Sequence, residues 1–146
     1  MQTSAKFLGW QEWLELPDLG LPPILAKMDT GATTSALHAF QVERRRRKGQ
    51  AWLRFWIHPV QGNAVVACAC EAEQIEERYV TDSGGHRSLR PVILTTLSLM
   101  EASWPIEMTL TNRDTMRFRM LLGRSAMAGR FVVDPNLSFL AGHPES

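Results

Sequence analysis

One aspartate stands where a carboxylate could act as a general acid or base. Asp29 ends the mostly apolar segment Ile24–Met28, and Thr30 and Gly31 follow it directly. A strand of this kind buries the stem of the carboxyl group, the glycine permits a close backbone approach, and the threonine hydroxyl can hydrogen-bond to stiffen the loop. Asp-Thr-Gly also occurs as an ordinary turn, so the tripeptide alone does not decide between catalysis and structure.

Two other segments have the composition of elements that could serve such a loop. Met120–Leu122 is apolar and enters Gly123 and Arg124, after which Ser125–Ala128 is predicted to form a short helix with Ser125 near its N-cap. Ser83-Gly84-Gly85 has the composition of a hairpin turn.

In their order along the chain, the Asp29 loop, the Ser83–Gly85 turn and the segment ending in Gly123 and Arg124 resemble one lobe of the retropepsin family of aspartic proteases. The resemblance implies that Asp29, Thr30 and Gly31 form the catalytic loop, and that Gly123 and Arg124 support it from beneath. We expect the Arg124 guanidinium to pair with a carboxylate near the loop or the base of a dimer. The residues that the resemblance implies for substrate binding are Ala32 and, at the tip of a flap, Ser83, Gly84, Gly85 and His86.

The likeness is more specific to a bacterial family of small proteins labelled ATP-dependent zinc proteases, which includes RimB and is associated with RimK-type ATP-grasp ligases. The matching segments run through most of the chain, from Leu8–Trp10 through Trp104–Glu107 to Asp134-Pro135. One position departs from the family pattern. Thr33 stands where many of these relatives have Lys or Arg, which puts in doubt any role of that cation in charge balance or substrate contact.

An aspartic protease needs two carboxylates that share a proton, one to activate water and one to protonate the carbonyl oxygen. This chain has one such motif, because Asp82-Ser83-Gly84 lacks the preceding apolar strand and falls in the predicted flap. The sequence therefore predicts a homodimer with a two-fold axis between paired Asp29 residues, a peptide substrate and no cofactor. Two alternatives stay open: a non-catalytic partner or regulator of a RimK-type glutamate ligase, and a metal-dependent zinc peptidase.

The sequence offers little in favour of a metal or nucleotide site. His-Glu-x-x-His and the phosphate-binding Gly-x-x-x-x-Gly-Lys-Ser/Thr are both absent, and among the four histidines only His38 and His86 are predicted to be able to face a cleft. Cys68 and Cys70 would share one face of a strand, where we expect a pair of small half-buried hydrophobic residues.

Short runs rich in Val, Ile, Phe, Trp and Thr between turn signals predict an all-β fold of six to eight strands, closed or nearly closed, with one short helix. The resemblance implies a closed barrel lobe with a flap hairpin. Three hairpins are expected: 35–43 with 51–58, 77–81 with 89–95, and 106–111 with 115–122. Further strands are predicted at 24–28, 65–72 and 131–133.

The 146 residues, 45% of them hydrophobic, suit a single domain spanning 1–146, and a net charge of +1 gives no overall attraction to nucleic acid. The basic run Arg44–Lys48, with Trp52 and Trp56 nearby, is predicted to be a solvated hairpin tip, so we do not expect nucleic acid as a partner. Neither a signal peptide nor a membrane-spanning run is visible, and we expect a cytoplasmic protein.

Overall fold

The computed structural model describes residues 6–61, 63, 65–82, 84–112 and 117–144. Strands dominate these residues, which confirms the all-β class. They are β1 (Lys6–Leu8), β2 (Gln11–Leu14), β3 (Ile24–Asp29), β4 (Ser35–His38), β5 (Phe40–Arg47), β6 (Gln50–Ile57), β7 (Cys68–Thr81), β8 (Arg87–Leu99), β9 (Ala102–Thr111), β10 (Met120–Gly123) and β11 (Phe131–Val133). A 3-10 turn lies at Pro17–Leu19, and helix α1 spans Arg124–Met127.

Nine of the strands form one sheet in the order β2-β3-β10-β4-β9-β8-β7-β6-β5, and β1 pairs in parallel with β11 in a separate two-stranded sheet. The large sheet does not close into a barrel, and eleven strands among the described residues exceed the predicted six to eight. An isolated bridge between Glu15 and Ser98 joins the end of β2 to β8. The opposite edge, β5, carries exposed arginines, and charged side chains oppose further pairing at a sheet edge.

The last predicted hairpin is wrong. β10 does not pair with β9; it lies between β3, to which it is parallel, and β4, to which it is antiparallel. Burial explains the position, because Met120 and Leu122 are fully buried, and at the centre of the sheet both lie within the core. The predicted turn Asn112-Arg113-Asp114 lies partly outside the described residues.

Other observed strand boundaries differ from the predicted ones, because local geometry interrupts one strand and extends another. The predicted run 35–43 divides at Ala39, and the pairing of β5 with β6 is irregular between Phe40 and Glu43. By contrast, β7 is continuous from Cys68, which joins two predicted strands. Helix α1 begins after Gly123 without a side-chain cap, so the expected N-cap role of Ser125 is wrong.

The core positions Asp29 by simple alternation. On β3, Ile24, Ala26 and Met28 are buried in the main hydrophobic cluster, so the intervening side chains face away from it. Asp29 is therefore half-buried at the end of the strand.

The hairpin joining β8 and β9 contains a strained turn. Its two central residues, Met100 and Glu101, have φ angles of 52° and 64°, and Leu99 pairs with Ala102 on either side. Two positive φ values characterise the tight turn that favours Asn-Gly, whereas other residues are strained in this conformation.

We expect Glu101→Gly to stabilise the protein by about 0.5–1 kcal/mol, because glycine adopts a positive φ without steric cost. Thermal unfolding should show a higher Tm. The matched change Ser103→Gly, in the adjoining strand β9, should lower it. A Glu101→Gly protein no more stable than the parent would show that this turn stores no strain.

Candidate active site

The carboxylate of Asp29 is held by its own loop. Gly31 N donates a hydrogen bond of 3.1 Å to Asp29 Oδ1, and Ala32 N donates to the Asp29 carbonyl at 3.3 Å. A Cβ on Gly31 would approach Asp29 Oδ1 to 3.3 Å, so glycine gives the carboxylate room in this turn. Asp29 itself sits beside Gly123 in the parallel pairing of β3 with β10.

Arg124 secures the far side of the loop. Its Nη1 donates to the Thr30 carbonyl at 3.0 Å and its Nη2 to Thr33 Oγ1 at 3.0 Å. The backbone adds two bonds, from Arg124 N to Ala32 O at 2.7 Å and from Ser125 N to Thr33 O at 3.0 Å. Within this chain the acceptors are a carbonyl and a hydroxyl and not a carboxylate, while a carboxylate partner at the base of a dimer stays a prediction. Thr30 is bonded to Arg124 through its backbone carbonyl. The sequence suggested instead that the Thr30 hydroxyl would form the hydrogen bond that stiffens the loop.

Thr33 now has a defined contact. Its hydroxyl accepts a hydrogen bond from Arg124, which Lys or Arg could not do, because those side chains have no acceptor and would repel the guanidinium. The residue that departs from the pattern of the resembling family is therefore compatible with the arginine beside it.

A hydrogen bond between Gly123 and Ser35 joins two strands of the sheet beneath the Asp29 loop. Gly123 N donates to the Ser35 hydroxyl at 2.9 Å, and Thr109 Oγ1 donates to the Ser35 carbonyl at 3.1 Å. Ser35 is fully buried. The sequence predicts Ser35 and Thr109 only as strand residues, because nothing in the local pattern distinguishes a buried hydroxyl that hydrogen-bonds to a neighbouring segment.

The predicted flap is the end of the β7–β8 hairpin. Asp82 Oδ1 accepts from Gly84 N and His86 N, both at 2.9 Å, and so caps the turn. Gly85 has a φ of 83°, a conformation that favours glycine. Ser83, the remaining predicted tip residue, lies outside the described residues.

A cavity of about 440 Å³ joins the loop to the base of this flap. It contains Asp29, Gly31 and Ala32 from the loop and Asp82 from the flap. The other lining residues, which the sequence did not indicate, are Thr34, Ala36, Val80, Thr81, Arg90, Thr109 and Leu121.

A second cavity, of about 690 Å³, shares Asp82 and Arg90 with the first and is also lined by His86. Gly84 and Gly85 line neither of these two cavities. The structure therefore brings Ala32 next to Asp29, while His86 and the flap-tip glycines lie farther out.

This arrangement of loop, supporting strand and flap agrees with comparisons to known proteins. A family model described as RimB-like, retropepsin-like aspartic endopeptidase RimB, matches residues 7–144. The chain belongs to this family.

Two relatives of the RimB-like chain are much longer proteins. One from Parasynechococcus marenigrum is 48% identical over 140 residues and one from Shewanella pealeana is 39% identical over 142; both are named probable alpha-L-glutamate ligase. The alignments cover 96% and 97% of this chain but only 30% and 31% of those proteins.

A solved structure has the same fold along almost its entire length. The crystal structure of a Legionella pneumophila protein of unknown function superposes with a TM-score of 0.77 at 31% sequence identity. The match covers 94% of this chain and 99% of that one.

The two histidines singled out in the sequence divide between the core and the flap. His38 is fully buried and its ring stacks on those of Phe40 and His58, so the expectation that it faces a cleft was wrong. His86 is exposed, and its Nδ1 lies 3.5 Å from Asp82 Oδ1.

The buried Cys70 does not lie in a reactive setting in this RimB-like chain. Burial, with a smaller contribution from Cys68, raises the pKa of the Cys70 thiol to about 12, so that thiol stays protonated near neutral pH. In the described ranges, no group of three or more His, Cys, Asp or Glu side chains is placed to hold a metal ion. No helix there is long and apolar enough to cross a membrane.

Proposed function

We propose that this chain is an aspartic endopeptidase that works as a homodimer, each subunit supplying one Asp29 carboxylate. The observation that carries the proposal is the cavity shared by the Asp29 loop and the base of the flap. A flap over the carboxylate suits an extended peptide, which can hydrogen-bond through its backbone to strands on either side.

The reaction needs one ionised and one protonated carboxylate. The ionised Asp29 removes a proton from water as the water oxygen bonds to the peptide carbonyl carbon, and the protonated Asp29 of the second copy donates its proton to the carbonyl oxygen. The tetrahedral intermediate then collapses. Its C–N bond breaks as the nitrogen takes the proton now held by the first carboxyl group, one hydroxyl proton of the intermediate passes to the second carboxylate, and an acid and an amine are released with the carboxyl pair restored.

The hydrogen bonds around the loop support this chemistry by fixing the carboxylate in place. Bonds from Gly31 and Arg124 restrict the loop before substrate arrives, and positioning of this kind lowers the entropic cost of reaching the transition state. Arg124 and Gly123 thus act in the proposal as structural support, while Ala32 borders the substrate.

Dependence on protein concentration tests the dimer. Specific activity against a peptide library should rise with protein concentration and reach half its maximum near the dimer dissociation constant measured by sedimentation velocity. Activity proportional to concentration in a monomeric sample would contradict the proposal. Added chelator should have no effect; a loss restored by zinc would favour the metal-dependent alternative instead.

The relatives favour a second candidate, a partner or regulator of a RimK-type glutamate ligase. In the two relatives described above, sequence like this chain makes up less than a third of a protein named probable alpha-L-glutamate ligase. A domain joined to another in one protein often works with it. Titration of a purified RimK-type ligase with this chain should then show binding and a changed ligation rate, both retained by Asp29→Asn.

A further inference from the structure

Arg78 joins three parts of the molecule around the cavity. It lies on β7, the first strand of the flap hairpin. Its Nη1 donates to Thr34 Oγ1, next to the catalytic loop, at 3.3 Å. Its Nη2 donates to Glu107 on β9 at 3.1 Å and to Glu76 on its own strand at 2.7 Å.

The contacts of Arg78 lead directly to the lining of the cavity. Thr34, its hydroxyl partner, lines the cavity that contains Asp29. Val80 also lines it and stands two residues beyond Arg78, on the same face of β7 because side chains alternate along a strand. A shift of Arg78 would therefore displace two residues that line the cavity, Val80 of the flap strand and Thr34 beside the Asp29 loop.

The chemistry of the side chain suits this junction. A guanidinium has five N–H donors in a rigid plane, so it can bond acceptors on three elements at once, whereas a lysine ammonium acts as a point charge. Its hydrogen bond to Glu76 holds the pKa of that carboxyl below its ordinary value. The Arg78 side chain is 30% exposed, against 46% for Glu76 and 44% for Glu107. Partly exposed ion pairs of this kind contribute little to global stability.

We propose that Arg78 is a positioning residue that sets the flap strand against the catalytic loop, and so determines how tightly the cavity holds a peptide. The inference rests on the proposed peptidase function. Glu107 and Glu76 orient the guanidinium, and the bond to Thr34 transmits its position to the loop.

Kinetics separate this role from a purely structural one. Arg78→Gln should raise KM by about 5- to 20-fold with kcat within about 2-fold, because Arg78 does not touch the reacting atoms. Thr34→Val should act in the same direction. The double variant should be no worse than the more affected single variant, since both changes break one interaction. Arg78→Lys should restore part of the loss.

Arg87→Gln is the matched control. Arg87 lies on the other strand of the same hairpin, with its guanidinium 4.0 Å from the centre of the Tyr79 ring. It is not among the residues that line the Asp29 cavity, and its replacement should leave KM unchanged.

Hydrogen exchange provides a readout that needs no activity. Amides in 29–36 and in 77–90 should exchange about 3- to 10-fold faster in Arg78→Gln than in the parent, while those of β2 and β6 remain unchanged. Arg87→Gln should leave 29–36 unaffected. If the parent cleaves no peptide, the proposed function fails but exchange still decides whether Arg78 couples flap and loop. Unchanged exchange in 29–36, or additive effects of Arg78→Gln and Thr34→Val on KM, would overturn the inference.

Discussion

Asp29→Asn is expected to abolish peptide hydrolysis while leaving the fold and the dimer intact. Asparagine keeps the size of the side chain and an oxygen that can accept the hydrogen bond from Gly31, but it cannot take a proton from water. General acid–base assistance contributes about 10²–10⁴-fold per role, and both roles depend on Asp29 in a symmetric dimer. The loss should therefore reach at least about 10⁴-fold.

Mixing the two proteins tests the pairing of carboxylates. When Asp29→Asn is exchanged into the parent dimer, activity should fall with the square of the parent fraction, because only dimers with two aspartates cleave. A linear fall would mean that each subunit works alone. Asp134→Asn is a suitable control, because Asp134 also caps a turn through its carboxylate and does not line the Asp29 cavity.

Asp82 provides the discriminating comparison, since it is a second carboxylate lining the same cavity. Asp82→Asn retains an oxygen that can accept the turn-capping bonds from Gly84 and His86, so activity should stay within about tenfold of the parent. Complete loss in this variant would make Asp82 the partner of Asp29 within one chain and contradict the dimeric mechanism. Full activity in Asp29→Asn would remove the aspartic mechanism itself.

The sequence predicted the segments of the site better than the contacts between them. Asp29, Gly123 and the flap hairpin could be found because short-range pattern defines each one: an apolar strand before a polar turn, or a glycine-rich hairpin turn. The neighbouring strand of Asp29 could not be found this way, because β10 reaches β3 across more than 90 residues of chain. Adjacency along the chain favoured a hairpin with β9, and burial of Met120 and Leu122 overrode it.

The sequence also did not reveal the individual hydrogen bonds that support the Asp29 loop. Ser35 looks like any strand serine, yet its buried hydroxyl bonds Gly123, and Arg78 looks like any surface arginine until β7, β9 and the loop are assembled. The closed barrel was overpredicted for a related reason. Whether a sheet closes depends on the pairing at its two edges, and the exposed arginines of β5 act against pairing there without changing the strand pattern.

Gly123→Ala is expected to produce a large loss of stability. A Cβ on Gly123 would lie 2.6 Å from the Thr34 carbonyl carbon and 2.8 Å from Ser35 N, closer than real Cβ atoms come. Both atoms belong to the backbone, so no side-chain rotation relieves the clash and β10 must move away from the loop. Overpacking costs about 1–3 kcal/mol, and breaking the buried bond from Gly123 N to Ser35 Oγ adds about 1–3 kcal/mol.

A total of about 2–6 kcal/mol is a large share of the 5–15 kcal/mol that stabilises a typical domain, and it should lower Tm by about 5 °C or more. Denaturant unfolding followed by tryptophan fluorescence measures it, with the slope m unchanged if only stability is altered. Gly84→Ala is the matched control, since its Cβ would meet the His86 ring at 3.2 Å and the Asp82 carboxylate at 3.4 Å, side chains that can adjust. Its unfolding free energy should change by less than about 1 kcal/mol. Equal stability of the two variants would mean that β10 does not approach the Thr34–Ser35 backbone this closely, and Gly123 would then lose its assigned place beneath the loop.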